Sequence, residues 1–197
     1  MPRKQYLEEK FGGPARAAEI YARVHAAGVA VGLDLNFGAI KQQANTLAAH
    51  ALIAFAQEAD VTQSHAKRPT MGTSFGNEVK ERLMKAYFVE GRFVGSIDVL
   101  AQIAMEAGLD GDRARAYVTD PRHLAGIAQE DAQARQMGVT GVPFFIFNQK
   151  VAVSGAQDPQ TLLADGGGKS RACRSKYHTA RRRTTGSRYP IQSFLPS

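Results

Sequence analysis

The stretch from Gly138 to Gln157, GVTGVPFFIFNQKVAVSGAQ, constrains what this chain can fold into more than any other. Phe144 to Phe147 is apolar throughout and ends at a turn over Asn148 and Gln149. A second short strand pattern follows from Lys150 to Ser154, so the two read as a β-hairpin. A run apolar at every position, rather than at alternate ones, is the pattern of a strand covered on both faces. Pro143 stands at the start of the first strand, where a missing N–H does least harm to a ladder. Val142 before it is biased towards extended backbone.

The rest of the chain has helical periodicity. A short segment runs from Tyr6 to Gly13, and Pro14, a favoured first helical residue, opens a helix that stops near Gly28 with Ile20, Tyr21, Val24 and Ala27 as its apolar stripe. Leu33, Leu35 and Phe37 alternate with Asp34 and Asn36, which predicts a brief extended segment. Asn45 or Thr46 is placed to cap a helix running to about Ala59, with Leu47, Leu52, Ile53 and Phe55 buried. A polar loop from Thr62 to Thr73 leads to a helix over about Asn77 to Val89. Ser96 is placed to cap another that ends at Ala107 with Gly108 beyond it, and a short one spans Asp112 to Val118. Asp120 and Pro121 open a helix lined by Leu124, Ile127, Ala134 and Met137 and ended by Gly138; Asp158 and Pro159 open the last, with Leu162 and Leu163 inward. The expected organisation is a mostly helical region over residues 1–137, a strand–strand–helix unit over 138–164, and a tail over 165–197 whose run of three glycines and scattered arginines read as disordered.

The formal net charge of +7 belongs wholly to that tail. Residues 1–164 hold 17 Lys and Arg against 17 Asp and Glu, while residues 165–197 hold 8 basic groups against Asp165 alone. Any attraction to nucleic acid would therefore act through Lys176, Arg181, Arg182, Arg183 and Arg188, with Tyr177 and Tyr189 to stack, and non-specific stickiness is the simpler reading. No specific nucleic-acid partner and no membrane partner are expected. No window is apolar enough for a span, and MPRKQYLEEKFGG lacks a signal core, so the expected location is cytoplasmic.

The candidates for chemistry are few. Cys173 is the one cysteine, which excludes an intramolecular disulfide and any Cys-x-x-Cys pair within these residues. His25, His50, His65, His123 and His178 form no ligand spacing, so no metal and no cofactor are expected. GGGKS at 166–170 resembles the end of a phosphate loop, but Leu163 stands where that pattern needs glycine.

The hairpin, GVTGVPFFIFNQKVAVSGAQDP, resembles the closing half of DsbA-like thioredoxin-fold proteins, in particular their FrnE-like thiol-disulfide oxidoreductase branch. That branch borders the glutathione-dependent 2-hydroxychromene-2-carboxylate isomerases. YLEEKFGG at 6–13, NTLAAHALIAFA at 45–56 and KAYFVEGRFVGSIDVLAQIAMEAGLD at 85–110 agree in the right order. The resemblance implies an α/β, incomplete thioredoxin-like fold dominated by a large helical insertion. It implies Pro143 as the family's cis-proline, and Val142 and Pro143 as residues that present backbone to a peptide or small thiol substrate.

In the family a Cys-x-x-Cys helix precedes the YLEEKFGG block, whereas this sequence starts just before that block, so the resemblance implies an N-terminally truncated member. Ala44 and Ala51 depart from the family's usual proline and arginine. The shift in composition at Asp165 has the pattern of an out-of-frame reading of a final helix. Exchange needs a thiolate and a resolving thiol one helical turn away, so no catalytic residue is assigned and the chain as given is expected to be redox-inactive. The alternatives are a non-catalytic peptide-binding remnant and an isomerase-like protein. An unpaired apolar edge at Phe144–Phe147 further predicts self-association.

Overall fold

In a computed structural model, residues 2–62, 74–147 and 151–166 are described. They form α1 (Arg3–Phe11), α2 (Pro14–Ala30), a 3-10 turn (Phe37–Ala39), α3 (Leu47–Thr62), α4 (Phe75–Phe88), α5 (Ile97–Glu106), α6 (Gly111–Thr119), α7 (Pro121–Gln136), β1 (Phe144–Phe147), β2 (Val151–Ser154) and α8 (Pro159–Gly166). The chain divides into two compact units, Met1–Ala125 and Gly126–Ser197, with the division running through α7.

The first unit is built around α3, which packs against α4, α5 and α6. Leu52, Phe55, Ala56 and Ala59 recur at helical spacing on its buried face. Ala49, Ala51, Ala56 and Ala59 are all buried, and side chains this small let the neighbouring helices approach closely. Val79 and Leu83 of α4, Leu100 and Ile103 of α5 and Val118 of α6 complete the core. Each fully buried Leu or Ile contributes about 1.5–3 kcal/mol relative to exposure. The start of α4 is held by α3: Phe75 N donates to Asp60 Oδ1 at 2.6 Å and Gly76 N to Asp60 Oδ2 at 3.0 Å. Ser74 Oγ accepts from Asn77 N, so two side chains share the donors that a helix start leaves unpaired.

Around α1 the organising group is a buried cation. Arg3, 7% exposed, donates from Nη1 to Gln43 Oε1 and the Tyr87 hydroxyl, and from Nη2 to the Tyr21 hydroxyl. All three acceptors are neutral. The guanidinium carbon also lies 5.4 and 5.5 Å from the centroids of the Tyr21 and Tyr87 rings. A backbone bridge between Pro2 and Gln42, and Arg3 N donating to Lys41 O, fasten the start of α1 to the segment before α3. Burial raises the pKa of both tyrosines, and the adjacent Arg3 charge opposes that rise.

The segment predicted as extended from Gly32 to Phe37 carries no strand. Asn36 turns it instead: its side chain accepts from Ala39 N, and its own N–H donates to Phe88 O at 2.8 Å. Phe37 then meets Tyr21 edge-on at 4.6 Å and Phe88 at 6.2 Å. Aromatic packing, rather than a ladder, uses the alternation.

In the second unit β1 and β2 form a two-stranded antiparallel sheet. Phe144 pairs with Ser154, Phe145 with Val153, Ile146 with Ala152 and Phe147 with Val151. α8 packs on β2. The expectation of cover on both faces of β1 is not met among the described residues: Ile146 is 44% exposed, and Phe144, Phe145 and Phe147 are only half-buried. A sheet of two strands supplies too few neighbours to bury a strand that is apolar at every position.

Candidate functional site

The site built by the sequence around Pro143 is positioned at both ends by short-range hydrogen bonding. At one end α7 stops in a Schellman motif: Gly138 N donates to Arg135 O and Val139 N to Ala134 O. Gly138 adopts φ +91°, which a Cβ would strain. Thr140 to Pro143 then cross to the sheet without regular structure. At the other end Pro143 O accepts from Gly155 N at 2.9 Å, so the loop is tied to the residue just beyond β2. Gly155 has φ +85°.

The Val142–Pro143 peptide bond is cis. Val142, the residue before it, is 40% exposed, while Pro143 is half-buried. These two are adjacent by necessity; what the fold adds is that Val142 lies open and Pro143 is anchored.

After β2, Asp158 caps α8, its Oδ1 accepting from Gln160 N and Thr161 N and its Oδ2 from the Thr161 hydroxyl at 2.7 Å. Those hydrogen bonds, led by the Thr161 hydroxyl, hold the Asp158 carboxyl below the usual carboxylate range. Phe145 and Phe147 stack on one face of β1 with centroids 6.4 Å apart and planes 11° apart.

Cys173, His65, His178 and the arginines of residues 181–183 lie outside the described residues, as does all but the first glycine of GGGKS. His50 lies half-buried within α3, and His123 stacks on Tyr117 with centroids 3.5 Å apart. Tyr117 in turn donates to Glu58 Oε1 at 2.6 Å. Among the described residues no three His, Cys, Asp or Glu side chains are grouped to hold a metal ion, and no helix is long and apolar enough to cross a membrane. Sequence reasoning missed Arg3, which belongs to no motif. A basic residue flanked by Tyr6 and followed by the tyrosines of later helices gives no one-dimensional signal.

A strand pair reached through an X-Pro loop, with a helix packed on its second strand, thus follows a run of helices in the chain. The model of the DSBA-like thioredoxin domain matches residues 1–165, and the chain belongs to that family. It is also similar to the uncharacterized protein YwbO of Bacillus subtilis (strain 168), at 34% identity over 82 residues. That similarity takes in 39% of this chain and 38% of YwbO, so the chain matches well under half the length of that curated relative.

Proposed function

We propose that this chain, on its own, is a DsbA-like domain without thiol-disulfide exchange activity that keeps the substrate-facing loop at Val142 and Pro143. The order of the blocks YLEEKFGG, NTLAAHALIAFA and KAYFVEGRFVGSIDVLAQIAMEAGLD supports placing it nearest the FrnE-like oxidoreductases. The observation that carries the proposal is that the 197 residues contain one cysteine, Cys173. Exchange proceeds by a thiolate attacking a disulfide sulfur, after which a second thiol must resolve the mixed disulfide. A lone thiol stops at the mixed disulfide. Reduction of a model protein disulfide by the purified chain with dithiothreitol as electron donor is the test. The expected result is a rate no higher than with dithiothreitol alone, and turnover that survives Cys173→Ser overturns the proposal.

A second reading is favoured by the exposure of Val142, 40%, at the mouth of the loop. Here the loop binds an extended peptide without reacting with it, through the backbone N–H and C=O of Val142. Fluorescence anisotropy with a labelled unstructured peptide tests it: binding that Pro143→Ala abolishes supports it, and binding indifferent to that change removes Pro143 from the site.

A further inference from the structure

We draw no further inference here: the strongest candidate, the exposed apolar face at the C-terminal end of α2 and the turn after it, formed by Val24, Val29, Val31 and Leu33, is an unpartnered helix face, and nothing in the structure shows what covers it.

Discussion

Arg3 Nη1 donates to the Tyr87 hydroxyl at 2.7 Å, joining the first residue of α1 to the end of α4 across 84 positions of sequence. With the bond from Nη2 to Tyr21, this makes one guanidinium the fastener of α1, α2 and α4. Truncating Arg3→Ala leaves two phenols and the Gln43 carbonyl without their donor. It should lower unfolding free energy by about 2–3 kcal/mol, because unmet buried hydrogen-bonding groups carry a desolvation cost. Arg3→Lys should recover only part of that, since an ammonium cannot span two phenols with the geometry of a planar fork. Urea unfolding of the three proteins at neutral pH measures both differences.

The same cluster sets an alkaline limit. Burial raises the pKa of Tyr21 and Tyr87 above the ordinary phenol value of 10.0, with Arg3 acting in the opposite direction on each. A group whose folded pKa lies above its unfolded one contributes stability that is present below the unfolded value and is lost as pH rises through the folded value. Stability should therefore be flat in this respect up to about pH 10 and fall beyond it. Absorbance of phenolate in the folded chain should show Tyr21 and Tyr87 titrating late. Tyr21→Phe with Tyr87→Phe should remove that late phase.

The helices and their stops were legible because their causes are local. Pro14, Asp120, Pro121, Asp158 and Pro159 act within a turn of where they stand, and Gly138 ends α7 through bonds reaching back no further than Ala134. Ser96 precedes α5 as expected but makes no side-chain capping bond, and Asn45 rather than Thr46 supplies the side-chain acceptor for Leu47 N. The paired strands were legible for the same reason, since only three residues of sequence separate them. What could not be read is tertiary. Arg3 is buried only because Gln43, Tyr21 and Tyr87 converge on it from positions 40, 18 and 84 residues away. The alternation of Leu33, Leu35 and Phe37 predicts a brief extended segment because one-dimensional periodicity does not distinguish a ladder from aromatic packing. The Val142–Pro143 loop was located from sequence, while the exposure of Ile146 follows from how many strands the sheet has.

Gly91 gives a contrast between two glycines. Its φ is +68°, and a Cβ there would sit 2.6 Å from Ala39 Cβ and 2.7 Å from Ala39 O, so both backbone strain and a backbone collision oppose any side chain. Gly91→Ala should destabilise by at least about 1–2 kcal/mol from the left-handed conformation alone. Gly126 lies within α7 with open space where a Cβ would be. Gly126→Ala should stabilise by about 0.4–1 kcal/mol, by narrowing the unfolded ensemble. Thermal unfolding followed by circular dichroism should move in opposite directions for the two.

Asp120 provides the acid-side counterpart. Its Oδ1 accepts from Arg122 N at 2.8 Å, and its carboxylate receives the Arg122 guanidinium through Nε and Nη2, the latter at 2.6 Å. The side-chain bonds from Arg122 are the main reason its pKa is lowered to about 2, with the backbone bond and the nearby His123 acting in the same direction. A carboxyl whose folded pKa is depressed contributes stability that is present above its unfolded pKa and lost as pH falls through the folded value. The window runs from the ordinary value of 3.8 down to about 2. Asp120→Asn keeps an acceptor for Arg122 N but not the charge that holds the guanidinium. At pH 7 the variant should melt below the wild type, and the gap should close as the pH is lowered through that window, until near pH 2 the two melt together. A gap that persisted unchanged to pH 2 would show that Asp120 acts by shape alone.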